Sequence, residues 1–173
     1  MLKLRPYEKQ DAKIIAGWIR DEVAFRKWSA DRYESYPVSG EDINKQYAGH
    51  AHSDTFFPMT AVDETGVVGP MILRFTDEAR KELRFGFVNV DDTKRGMGYG
   101  KQMLTLAIRY GVETFGVRTI TLGVFENNPS AYYCYKAVGF QDVQTDEIEY
   151  YHVMGEDWKC RELALEVDSW NCG

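Results

Sequence analysis

Residues 83–125 read LRFGFVNVDDTKRGMGYGKQMLTLAIRYGVETFGVRTITLGVF. The first eight, Leu83 to Val90, are rich in aromatic and β-branched side chains and predict a strand. From Gly98 onward, apolar residues fall at Met103, Leu104, Ala107, Ile108, Val112 and Phe115, one face of a helix. Arg118 to Phe125 alternates again and predicts a second strand. Strand, helix and strand in sequence imply one parallel pair joined by a helical crossover. At the junction stands Arg95-Gly96-Met97-Gly98-Tyr99-Gly100-Lys101. Three glycines in five residues permit positive φ and close approach of backbone to a ligand. Amides at a helix start lack intrahelical acceptors and face the positive end of the dipole, which suits an anion. Arg95 and Lys101 add charge suited to phosphate. The spacing is neither GxxxxGK[ST] nor GxGxxG. Taken alone, the loop fits an anion site or a tight turn.

Outward from this core, Thr55 to Val62 and Val67 to Phe75 predict two strands around the turn Asp63-Glu64-Thr65-Gly66. Gly69-Pro70 signals an irregularity in the second. With the charged turn Asp77 to Lys81 they form an antiparallel meander with the strand from Leu83. Leu2 to Arg5 predicts a short strand. Asp11 precedes a helical stripe at Ile14, Ile15, Trp18 and Ile19. Residues 20–54 give one further helix over 41–49, capped by Ser39 with Asp42. Downstream, Ser130 to Ala137 predicts a short helix stopped by Gly139. Residues 142–153 and 158–167 predict two last strands joined at Gly155-Glu156-Asp157. The fold class is α/β (α+β): a mostly antiparallel central sheet of about seven strands with a parallel pair, flanked by about four helices. One domain covers 1–167, followed by a tail over 168–173.

Composition narrows the function. The chain has 173 residues, 44% hydrophobic and 28% charged, with a net charge of −6. That suits one globular domain rather than a disordered chain. No apolar run reaches the roughly 18 residues of a membrane span, and MLKLRPYEKQDAK has no apolar signal core. The acidic balance and the lack of a basic patch argue against nucleic acid. Cys134, Cys160 and Cys172 form no CxxC, which points to a reduced, cytoplasmic protein. His50 and His52 find no further ligand in the sequence, so no metal is expected.

A second motif follows the second strand: Asn128-Pro129-Ser130-Ala131-Tyr132-Tyr133-Cys134-Tyr135-Lys136-Ala137-Val138-Gly139-Phe140. Pro129 fits a first helical position, with Asn128 as N-cap. Ala131 and Tyr135, four apart, share a helix face. Together the two motifs resemble the GNAT acetyltransferase superfamily. Arg95, Gly98 and Gly100 match its R/Q-x-x-G-x-G/A. Asn128, Ala131, Tyr135, Gly139 and Phe140 match its N-x-x-A-x-x-x-Y-x-x-x-G-F. The element order agrees as well.

The resemblance implies an N-acetyltransferase that uses acetyl-CoA. Gly96, Met97, Gly98, Tyr99, Gly100 and Lys101, with Arg95, would hold the pyrophosphate. Val88, Asn89 and Val90 would pair with the pantetheine arm after Phe87, splaying from the next strand, a form of β-augmentation. Asn128 would contact the same arm, or act as a helix cap, or both. Tyr135 would be the general acid to the departing thiolate; the alternative is a packed tyrosine. A phenol near pKa 10 and a thiol near 8.5 are matched for that transfer. Cys134 is not needed as a nucleophile in direct attack. The base is Glu82 by nearest match, although Arg84 stands two before Gly86 where some members carry a glutamate. Glu126 and a relayed water are alternatives. The acceptor would be a primary amine of a small molecule or a protein N-terminus, met by residues 20–54 and 145–160. Asp21, Glu22, Asp31, Glu147 and Glu149 there would attract a cation, and Trp28, Tyr33, Tyr150 and Tyr151 would hold one by cation–π contact. A non-catalytic acyl-CoA-binding module is the other reading, and a homodimer through the last strands is left open.

Overall fold

The computed structural model describes residues 1–170. Eight strands and five α-helices lie among them, in the order β1 (Lys3–Pro6), α1 (Asp11–Trp18), α2 (Glu22–Ser29), α3 (Gly40–Ala48), β2 (Phe56–Asp63), β3 (Gly66–Phe75), β4 (Glu82–Gly86), α4 (Tyr99–Tyr110), β5 (Thr119–Phe125), α5 (Pro129–Val138), β6 (Gln141–Asp142), β7 (Glu149–Val153) and β8 (Glu156–Glu166). The strands form one sheet in the order β1-β2-β3-β4-β5-β8-β6, with β7 also paired to β8. Every pair is antiparallel except β4 with β5.

Period-2 alternation sends side chains to two cores, one on each face. Leu73, Leu83, Phe85, Ile120 and Leu122 face α4 and α5, where Met103, Leu104, Ala107 and Ile108 are fully buried at helical spacing. Ile72 faces the other way, toward Ile15, Phe25 and Ile43 of α1, α2 and α3. Asp11 anchors α1 from beneath. It is 1% exposed, takes both guanidinium nitrogens of Arg5 at 2.8 Å and accepts from Thr60 at 2.9 Å. Ser39 and Asp42 form the capping box of α3.

The structure departs from the sequence reading in four places. The helix α2 was not expected. Its cap is Asp21, which accepts from the Ala24 amide at 2.7 Å, and it buries Phe25 and Trp28. The strand expected over 83–90 ends at Gly86, because Phe87 takes φ 49°, a left-handed conformation. The strand expected over 142–153 is two, β6 and β7, separated by the exposed residues 143–148. The tail expected over 168–173 begins in ordered structure: a 3₁₀ turn covers Val167–Ser169, and the Trp170 indole donates to the Val138 carbonyl at 3.1 Å. Cys172 lies outside the described residues. No helix among the described residues is long and apolar enough to cross a membrane.

Candidate active site

The parallel ladder between β4 and β5 joins only Glu82, Leu83 and Arg84 to Thr119, Ile120 and Thr121. Beyond it the strands diverge. β4 and the segment after it follow β3, while β5 follows β8. The irregularity signalled at Gly69-Pro70 guides the first half. The β2–β3 register shifts between Ala61 and Val62, and β3 bulges at Val68. The bulged strand then catches the departing segment, since the Asn89 amide donates to Pro70 and the Asp91 amide to Val68, at 3.3 and 2.7 Å. Gly69 is required at this crossing, because a Cβ there would stand 2.3 Å from the Asn89 carbonyl oxygen. Alternate residues of an extended segment aim their amides oppositely. Val88 and Val90 therefore present theirs to the gap.

That gap is a cleft of about 900 Å³ between Phe85–Val90 on one side and Leu122–Phe125 on the other. One end is the glycine loop. Gly96 and Gly98 have φ of 79° and 81°, and Gly98 stands at the left-handed N-cap of α4. The first amide inside the helix to find a partner is that of Gln102, bonded to Gly98 at 3.1 Å. The amides before it face outward as an anion cradle. Arg95 donates to the Asn89 side chain at 3.0 Å. The Tyr99 hydroxyl donates to Asp63 at 2.7 Å and ties the loop to the β2–β3 turn.

The far wall is α5. Asn128 occupies its N-cap position, but its side chain makes no capping bond and lines the cleft. Tyr135 lines the cleft seven residues on. It is 7% exposed and its ring packs on Phe140 at 6.3 Å. Burial pushes its phenol up, and the neighbouring Cys134 adds to the effect. Its hydroxyl has no protein partner among the described residues.

The sequence matches the acetyltransferase (GNAT) family over residues 22–140. The chain belongs to the GNAT acetyltransferase family. Membership makes it an acetyl-CoA-dependent N-acetyltransferase. Among relatives, it is 31% identical over 117 residues to the N-terminal acetyltransferase A complex catalytic subunit ard1 of Schizosaccharomyces pombe, covering 65% of this chain and 66% of that protein. The fold superposes on spermidine N-acetyltransferase from Vibrio cholerae, solved in complex with CoA and spermine, with TM-score 0.81, 19% identity and 96% of each chain covered. A putative phosphinothricin N-acetyltransferase superposes with TM-score 0.74 and 22% identity, over 96% of this chain and 99% of that one.

Within this acetyltransferase, Val88, Asn89, Val90, Arg95, Gly96, Gly98, Tyr99, Gly100, Lys101, Asn128 and Tyr135 come together around one cleft. Met97 points away and is 63% exposed. Glu82 requires a correction as the base. It stands at the start of β4, where β4 and β5 are still joined, and does not line the cleft. Glu126 faces Lys159 and Arg161 at 3.8 and 3.7 Å, outside it. The acid-rich acceptor side expected from the sequence is also corrected. Of the acids and aromatics expected there only Asp21, Trp28 and Tyr151 line the cleft; Glu149 is exposed and accepts from the Tyr151 hydroxyl at 2.8 Å, and Glu147 and Tyr150 are exposed outside the lining.

Sequence reasoning placed Trp28 on this side but missed its structural role, and it missed that Arg74 and Arg84 meet here. Trp28 donates its indole N–H to the Phe87 carbonyl at 3.0 Å and so fixes the left-handed turn. Its signal was the spacing Ala24, Phe25, Trp28 after a capping Asp21. Arg74 and Arg84 line the same end, as inward members of alternating strands.

Proposed function

We propose that the protein moves the acetyl group of acetyl-CoA directly to a primary amine within the β4–β5 gap. The observation that carries this reading is the gap itself. Its edge amides at Val88 and Val90, its glycine cradle and Tyr135 lie along one continuous cleft. In this reading the cradle and Arg95 take the pyrophosphate, Val88 and Val90 pair with the pantetheine amides, and Asn128 holds the arm from the α5 side.

The amine nitrogen attacks the thioester carbon, the C–S bond breaks, and Tyr135 passes its proton to the leaving sulfur. Burial raises the phenol, so it stays protonated and holds its proton for the thiolate as the C–S bond breaks. No carboxylate stands beside Tyr135 in the cleft lining, so the amine loses its proton to water. That same lack of a base is the one observation favouring the second reading, a module that binds acyl-CoA without turnover. Titration calorimetry with CoA followed by a CoA-release assay over a panel of amines separates the two. Binding with release supports the enzyme, binding with no release on any amine supports the module, and no binding overturns both.

A further inference from the structure

The cleft does not share the acidity of the chain. Seven of its lining side chains are Lys or Arg, and Asp21 alone is acidic. Lys94, Arg95 and Lys101 belong to the phosphate end. Arg32, Arg74 and Arg84 stand at the other end, with Trp28, Tyr151 and Cys160. We propose that these three arginines form an oxyanion subsite, and that the acceptor is a small amine carrying a carboxylate, such as an amino acid, rather than a polyamine. The proposal rests on the acetyl-transfer reading above and names its substrate class.

Arg74 of β3 and Arg84 of β4 are direct register partners. Side chains so placed lie on one face with Cβ atoms about 5 Å apart, and like charges there repel. Only one of the two is neutralised. Arg84 donates to Glu162 at 2.5 Å and to Thr121 at 3.2 Å. Gly123 makes room for it, since a Cβ there would stand 3.0 Å from the Arg84 guanidinium. Arg74 makes no hydrogen bond and no ion pair among the described residues. It is half-buried, and burial, Arg84 and Arg32 press its guanidinium toward the neutral form, with Glu162 and Tyr151 only partly opposing them. Guanidinium nevertheless keeps its proton, so its donors face the cleft unused.

Arg32 closes the triangle from beyond α2, with only Asp31 near it, at 4.0 Å and exposed. The carboxylates nearby are already engaged, Glu162 by Arg84 and Glu149 by the Tyr151 hydroxyl at 2.8 Å. Burial pushes the Cys160 thiol up to about 11 and the Tyr151 phenol up to about 12. A bound oxyanion would supply the missing partner for Arg74 by fork-like pairing. A second ammonium would meet uncompensated positive charge instead. This end is part of the same cleft as Tyr135.

The test is steady-state CoA release at saturating acetyl-CoA. The acceptors are amino acids, the same amino acids as amides, spermidine and putrescine, and peptides beginning with an acidic residue. The expected result is kcat/KM about 10–100-fold higher for an amino acid than for its amide, with polyamines slower still. Arg74→Gln should raise the acceptor KM by a similar factor with kcat and donor KM nearly unchanged. Its melting temperature should hold or rise as the cross-strand repulsion is relieved. Arg32→Gln, on an exposed side chain, should raise the acceptor KM more weakly and guards against misfolding of the first variant. The proposal is overturned if amides or polyamines match the amino acids, if only peptides are acetylated, if neither variant changes KM, or if CoA binds and no acceptor is used. Failure to bind CoA would instead overturn the acetyl-transfer reading itself.

Discussion

The Tyr135 hydroxyl is the most informative single group in the molecule. It lies on buried Tyr135 of α5, has no bonding partner among the described residues, and lines the gap between the diverging strands. A side chain held so for packing alone would tolerate loss of its oxygen. Tyr135→Phe is therefore expected to keep its melting temperature and CoA affinity while kcat falls about 10²–10³-fold. Unchanged kcat would remove the general-acid role. Asp11 shows the opposite economy, with every oxygen in use. Burial alone would raise its carboxyl, but Arg5, the Glu8 amide and Thr60 together hold it below the usual carboxylate range. A depressed value contributes stability that is full above about pH 3.9 and is lost as pH falls through the lower folded value. Asp11→Asn should cost about 2–3 kcal/mol at neutral pH, since the partner Arg5 stays partly exposed. The gap between variant and parent melting temperatures should narrow as the pH drops below about 4.

Among elements, the segment after β4 matters most, because it is an extended run that leaves one neighbour to serve another. Its course depends on the bulge of β3 and on the absence of a side chain at Gly69. Gly69→Ala would push a Cβ into the Asn89 carbonyl. Calorimetry should show CoA affinity falling several-fold, and unfolding should show a loss of about 1–3 kcal/mol. This element also marks how far the sequence could be read. The glycine loop was legible because positive φ at Gly96 and Gly98 leaves a residue-type signature, and α4 because its buried face repeats at helical spacing. The turn at Phe87 was not legible, since a left-handed phenylalanine carries no such mark and is imposed by Trp28 from α2. That helix was itself hidden among charges. The convergence of three arginines was not legible for a related reason. Residues 32, 74 and 84 meet only through the β3–β4 register and the fold of α2 over it, neither of which is a local pattern. The acid-rich segments were the more visible feature, and most of them turn outward.

At the scale of the whole molecule, a chain of net charge −6 encloses a cleft lined by seven cationic residues and one acid. Donor binding should weaken as salt rises, measured as a CoA dissociation constant that grows between low and physiological ionic strength. The sheet is also two half-sheets. β1 to β4 and β5 to β8 share a seam of three residue pairs, and the helix α4 spans the rest. On the proposed reading a donor in the gap would supply backbone pairing that the protein lacks there, and a ligand at 100 times its dissociation constant stabilises the folded state by about 2.7 kcal/mol. Limited proteolysis should accordingly slow on adding CoA, with the first cuts in the free protein falling near the loop at 91–98. An unchanged digestion rate would show that the seam holds by itself. The short seam would thereby make the lifetime of the folded chain depend on its donor: an occupied molecule should outlast an empty one under the same protease.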